Sequence, residues 1–185
     1  MENEVLRNMK TRFSSRKYKN TPVEKEKLDA ILEAATYAAS GHNIQGWYFT
    51  VIQSEEGKKK LLSAVGPEPA EFKKLAPPGA VWPFPADFFG APVVIMVSYD
   101  KNAPWPDAGA FFAADNIMNA AHSLGLSACG LTVYSHDVFC TPETAPLKAE
   151  FIPEGYELYL TMVLGYPEVV PTQRPKRRED VIRWL

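Results

Sequence analysis

Two cysteines and three histidines among 185 residues are too few and too scattered for a disulfide framework or a closed zinc site. Cys129 and Cys140 form no Cys-x-x-Cys pair, and His42, His122 and His136 are dispersed, so no metal is expected and a reducing compartment fits. No apolar run approaches the length that spans a bilayer, and residues 1–13 are polar and charged where a secretory signal needs an apolar stretch. The expected location is the cytoplasm, with no membrane partner. Neither sign of charge dominates: 20 Lys and Arg against 22 Asp and Glu leave a net charge of −2 and a pI near 6.0. Such a surface has no global attraction for polyanions, so nucleic acid is not the expected ligand and any anion site must be local. Internal repeats and low-complexity tracts are also absent.

What is present is a hydrophobic content of 46%, enough for one core in a chain of this length. A single domain over 1–185, of α/β or α+β type, is therefore expected. Thr21-Pro22-Val23-Glu24 combines a capping hydroxyl, a proline suited to the first helical position and a glutamate able to complete a capping box. It predicts the first helix, with an apolar stripe at Leu28, Ile31, Leu32, Ala35, Ala38 and Ala39 that stops at Ser40-Gly41. Trp47–Ile52 reads as a strand, and Ser54 as the cap of a helix reaching about Val65. Residues 66–90 read as irregular. Pro92–Tyr99 has too little alternation for a half-exposed strand and is expected at the sheet centre, covered on both faces, with another strand over Glu157–Leu164.

Asp107–Leu124 lacks proline and is apolar almost all the way round, which predicts a long helix buried on most sides. A domain this small rarely encloses one helix completely, so part of that surface is expected to pack against a second copy, giving a homodimer. The alternative is a central helix inside a monomer.

Four segments carry candidate chemistry. In an extended Arg12-Phe13-Ser14-Ser15-Arg16, the residues Arg12, Ser14 and Arg16 share a side and offer two guanidinium forks and a hydroxyl to one anion; the same residues also read as a solvated basic stretch. Ser40-Gly41-His42-Asn43-Ile44-Gln45 crowds a hydroxyl and two amides into a turn, suited to a flat heterocycle with alternating donors and acceptors or simply to bonding its own backbone. At Leu124-Gly125 the long helix ends in a glycine, a C-cap signal, and a short run leads to Gly130, where backbone could approach a ligand; Cys129 reads as a small buried hydrophobe rather than a nucleophile. Arg174-Pro175-Lys176-Arg177-Arg178 could complete a phosphate site, remain a solvated tail, or bind nucleic acid.

Taken in order, these segments resemble the nitroreductase family. Its Arg-x-Ser-x-Arg/Lys-x-Phe/Tyr element is matched by Arg12, Ser14, Arg16 and Tyr18, and its Pro-Val helix opening by Pro22 and Val23. Its Pro-Ser-x-x-Asn-x-Gln-Pro-Trp element is matched by Ser40, Asn43, Gln45 and Trp47, with Ala39 and Gly46 in place of the two prolines. Asn116–Ala121 with Leu124-Gly125-Leu126 resembles the family's long interface helix, and Leu164-Gly165-Tyr166-Pro167 with the basic tail resembles its ending. Only residues 66–105 lie outside the resemblance.

The resemblance implies a three-layer sandwich, a central mixed, mainly antiparallel sheet flanked by helices, in a homodimer with FMN at the interface. It implies that Arg12, Phe13, Ser14 and Arg16 face the phosphate and ribityl side of FMN, with Arg16 toward the N1/O2 edge. Lys176 and Arg178 would meet the phosphate, with Arg177 able to take either role. Ser40, Gly41 and Asn43 would come from the other subunit, and Gly130, Leu131 and Thr132 would offer backbone toward N5. The flavin carries the chemistry and no side chain need act as catalyst. The implied activity moves a hydride from NAD(P)H, as co-substrate, to an electron-poor small molecule such as a nitroaromatic or quinone. A specialised member that reduces enones, removes halogen or breaks down flavin is the nearest alternative, followed by a non-catalytic flavin-binding protein. Phe72, Trp82, Phe84, Phe88 and Phe89 read either as lining of an acceptor pocket or as core.

Overall fold

In the computed structural model, which describes residues 1–66, 87–131 and 138–185, four strands form one sheet. They are β1 (Trp47–Ile52), β2 (Val93–Asp100), β3 (Ser127–Leu131) and β4 (Tyr156–Gly165), in the order β1-β2-β4-β3. Each of these pairings is antiparallel, with a bulge where β2 shifts register on β4 between Val97 and Ser98.

β2 is the central element. Val93 to Val97 are wholly buried, as the lack of alternation in this run requires, and the period of two divides them between the faces. Val93, Ile95, Val97 and Tyr99 belong to the core under α2 (Lys25–Thr36) and α4 (Pro106–Ser123). Val94 and Met96 belong to a second core with Leu61 of α3 (Glu55–Ser63) and with Phe151 of the short α5 (Lys148–Phe151). The result is the expected helix–sheet–helix sandwich. Phe88 is fully buried in the second core, so of its two readings the structure selects core; Phe89 is partly buried against the same cluster. Phe72, Trp82 and Phe84 lie outside the described residues.

The first helix differs from expectation in two ways. An unanticipated α1 (Glu4–Thr11) precedes it, with the side chain of Asn3 accepting from the Leu6 amide. The helix expected at Thr21 begins only at Lys25, because Val23 is drawn into the core and the Glu24 carboxylate, which would have capped, accepts from the Tyr166 hydroxyl at 2.7 and 2.9 Å. It ends at Thr36, short of Ser40.

α4 has the expected length, and within one chain it is only partly covered. Gly109, Ala110, Ala113, Ala114, Ile117 and Ala121 face the sheet, and α1 covers the outer C-terminal half through Asn8 to the Asn119 carbonyl, 2.9 Å, and Thr11 to His122, 2.9 Å. Over the N-terminal half, Phe111 and Phe112 remain 46% and 53% exposed. At its end Gly125, in the left-handed region at φ 80°, closes the helix as the sequence suggests: its N–H bonds the His122 carbonyl and that of Leu126 the Ala121 carbonyl.

The N-terminal end of α4 sits on the buried ring of Tyr99. A Cβ added at Gly109 would lie 2.5 Å from that ring, and one at Gly46 would lie 2.7 Å from its opposite edge. Gly109→Ala therefore destabilises the fold by about 1–3 kcal/mol through overpacking, despite a helix-propensity gain of about 1 kcal/mol. A lowered midpoint of urea unfolding checks this.

Candidate functional site

The 12–18 segment is fixed to β3 by one hydroxyl. Ser127 Oγ accepts from the Ser15 amide at 3.1 Å and donates to the Phe13 carbonyl at 2.8 Å. Ser15 is thereby buried while Ser14 and Arg16 point outward, which is the alternation expected of an extended segment. The Tyr18 hydroxyl donates to the Ser15 carbonyl at 2.9 Å, and burial pushes its phenol pKa well up, so it stays a donor. Farther along, the Lys19 N–H donates to the Tyr166 carbonyl at 2.9 Å and the Glu168 N–H to the Lys17 carbonyl at 3.0 Å. The start of the C-terminal tail thus runs beside this segment.

Arg12 is partly buried, its guanidinium 3.8 Å from the Met118 sulfur on α4. Arg16 is exposed. Among the described residues neither has a carboxylate partner. Cys129 lies beneath them, 2% exposed; burial raises its thiol pKa, against the opposing influence of Arg16, Ser14 and Arg12. It is the buried hydrophobe that the sequence suggests. Gly130 follows on the edge strand β3, where an added Cβ would sit 3.3 Å from Leu160; Leu131 is 9% exposed. Thr132 lies outside the described residues.

Of the basic tail, the structure brings Arg174 to this end of the molecule. Its guanidinium donates to the Thr11 carbonyl and lies 4.9 Å over the Phe13 ring. Lys176 pairs instead with Glu179 at 3.0 Å and Arg178 with Asp180 at 3.1 Å, all strongly exposed, so these pairs add little stability. No hydrogen bond or ion pair among the described residues joins Lys176 or Arg178 to Arg12 or Arg16.

The Ser40–Gly46 loop stands at the other end of the sheet, where Trp47 of β1 pairs with Tyr99 of β2. Gly41–Asn43 forms a 3-10 turn, and His42, Asn43 and Gln45 all have φ between 52° and 55°, a left-handed stretch unusual outside glycine. Ser40 Oγ accepts from the Gln45 amide at 3.1 Å, and Asn43 Oδ1 from Gln45 Nε2 at 3.1 Å. The loop bonds its own backbone, yet the side-chain amide hydrogens of Asn43 and the Ser40 hydroxyl hydrogen make no hydrogen bond to any described residue. Gly41 is pressed against Trp105, whose ring stacks with His42 at 6.3 Å between centroids. Six residue steps of β2, about 20 Å, separate Tyr99 from Val93, which is paired with Leu164 beside the Ser127 end. Within one chain the cationic segment and the amide loop do not meet.

These features define an α+β domain whose sheet carries a cationic segment at one end and an amide-bearing loop at the other. The chain belongs to the Nitroreductase family, whose sequence profile matches residues 9–166. A protein provisionally named NADH dehydrogenase/NAD(P)H nitroreductase from Methanothermobacter thermautotrophicus is 32% identical over 177 residues, 92% of this chain and 81% of that protein. One of the same name from Archaeoglobus fulgidus is 31% identical over 176 residues, 89% and 86% of the two. The solved structure of a nitroreductase with bound FMN from Bacteroides fragilis superimposes with a TM-score of 0.81 at 25% identity, covering 100% of both chains.

Sequence reasoning missed Ser127, His122 and the particular role of Arg174. Nothing in the pattern marks a lone serine after a helix cap. Arg174 had a signal, since the Pro175 that follows confines it to extended backbone.

His122 shows the local field. Its pKa is lowered first by burial, then by the cations Arg174 and Arg12, while Arg7 and Glu4 line the recess beside it. The unfolded chain takes up this proton as pH falls through about 6.5, whereas the folded chain still refuses it. Stability is therefore lost as pH drops from about 6.5 toward the lower folded midpoint, and is level below that. An NMR titration is expected to place the ring below the ordinary histidine value, and Arg174→Gln to move it upward.

Proposed function

We propose that this chain is an FMN-dependent oxidoreductase that takes a hydride from NAD(P)H and passes it to an electron-poor acceptor such as a nitroaromatic or quinone. One observation carries the reading: Arg12 and Arg16, both near enough to Cys129 to act on its thiol, have no carboxylate partner among the described residues and lie on a segment bonded to the Gly130-bearing edge of the sheet. Uncompensated guanidinium groups fit a phosphate, for which their planar forks are suited. The FMN bound in the Bacteroides fragilis structure supports flavin as the group, and the names of the archaeal relatives support NAD(P)H as donor.

Bound FMN would supply the hydride-accepting and hydride-donating centre. Arg12 and Arg16 would neutralise its phosphate and the electron-rich edge of its ring, Ser14 would donate a hydrogen bond, Phe13 would contribute from the same segment, and Lys176 and Arg178 would add positive charge from the tail. At Gly130 the missing side chain would let the β3 backbone come close, with Leu131 behind it. Ser40, Gly41 and Asn43 would bond the ring from a second copy. The roughly 20 Å of β2 that lies between the ends where the two segments sit, and the bare Phe111 and Phe112 on α4, both support a homodimer with sites shared across its interface. No helix among the described residues is long and apolar enough to cross a membrane.

Titration of the flavin-free protein with FMN should give saturable quenching and a yellow complex that bleaches anaerobically with NADH or NADPH; a protein that stays colourless overturns the reading. Arg12→Ala and Arg16→Ala should each weaken FMN binding about 10- to 100-fold, the loss expected of one charge-assisted hydrogen bond of about 1.5–3 kcal/mol. Phe112→Glu should yield a monomer by light scattering, and that monomer should lose FMN.

A further inference from the structure

We propose that Arg174 is a positioning residue: it latches the C-terminal basic run onto the 12–16 segment, so that the cations following it stand at the phosphate-binding end of the site. This rests on the flavin reading above and adds to it a residue whose partners belong to the protein, not the ligand.

The tail is pinned twice. Its first pin is the backbone exchange of Lys17–Lys19 with Tyr166–Glu168, reinforced by Lys17 to Glu168 at 3.0 Å and by Tyr166, whose hydroxyl meets Glu24 and accepts from Lys27 Nζ at 2.6 Å. From Val169 to Gln173 no hydrogen bond to a described residue holds the chain, and Val169 and Val170 are exposed. The second pin is Arg174, whose guanidinium bonds the Thr11 carbonyl and covers one face of Phe13 at 4.9 Å.

The receiving surface is itself braced. The Phe13 ring meets His122 edge-on at 6.0 Å and 82°, Thr11 Oγ1 is 2.9 Å from His122 Nε2, and the Phe13 carbonyl is held by Ser127. A planar guanidinium can donate in its plane and stack through its face at the same time, which an ammonium cannot. Pro175 keeps Arg174 extended, so the direction in which the chain leaves the latch is restricted. Extended backbone then carries Lys176 about 7 Å beyond it, a distance its long side chain can retrace, and Arg178 about 13 Å, so that Lys176 stands nearest the latch. Neither residue makes an anchoring contact of its own: their partners Glu179 and Asp180 move with the tail. Without Arg174, nothing among the described residues ties this run to the body of the protein.

The test compares wild type, Arg174→Ala and Arg174→Lys in two measurements: the FMN dissociation constant, and the rate of limited tryptic cleavage within 176–178 of the flavin-free protein. Melting curves confirm that each variant folds. Arg174→Ala should weaken FMN binding roughly 5- to 20-fold and speed cleavage several-fold before any FMN is added, with Arg174→Lys recovering part of both. Weakened FMN binding with unchanged cleavage of the flavin-free tail would show that Arg174 acts on the ligand directly and overturn the latch, as would an unchanged dissociation constant. If wild type binds no FMN, the functional reading falls, while the cleavage comparison still reports whether the latch exists.

Discussion

Burial of β2 on both faces is the constraint from which the rest of this structure follows. A strand whose residues from Val93 to Val97 are all wholly buried needs a helical layer on each side, and the two cores divide its side chains strictly by parity. Its length also sets the spacing of function. Tyr99 at one end supports the amide loop and the start of α4; Val93 at the other lies near the Gly165–Ser127 pair to which the cationic segment is fixed. The sheet thus sets the spacing between the two segments as well as forming the core.

That separation gives α4 a second meaning. Its inner face is small, dominated by Gly109 and alanines, so the helix lies close to the sheet; its outer face changes character along its length. The C-terminal half is covered by α1 and carries polar contacts from Asn8 and Thr11, while the N-terminal half shows two phenylalanines to solvent. The uncovered half is the end nearer the amide loop.

Much of the framework was legible in the residues, because it depends on patterns that are local and strong. The unbroken run Val93–Tyr99 announced a central strand, Ser54 announced α3, and Gly125 announced the end of α4. Where reading failed, a tertiary partner had taken the group on which a local rule relied. Glu24 was spent on Tyr166, far away in sequence, and so did not complete the box that Thr21-Pro22 seemed to open. α1 escaped notice because it buries no residue and is held by two polar contacts to α4. The alternation of Arg12, Ser14 and Arg16 was visible, but the serine that enforces it, Ser127, lies more than a hundred positions away.

The amide loop has one further implication. His42, Asn43 and Gln45 each sit in a backbone region that disfavours side chains by roughly 1–2 kcal/mol per residue, asparagine least. They remain there because Trp105 and Tyr99 wedge the flanking glycines and because the loop closes hydrogen bonds upon itself. A segment already confined in this way would have little conformational entropy left to surrender if a rigid ring docked on it as proposed. Its contribution to affinity would come less from the number of bonds it forms than from the disorder it never had.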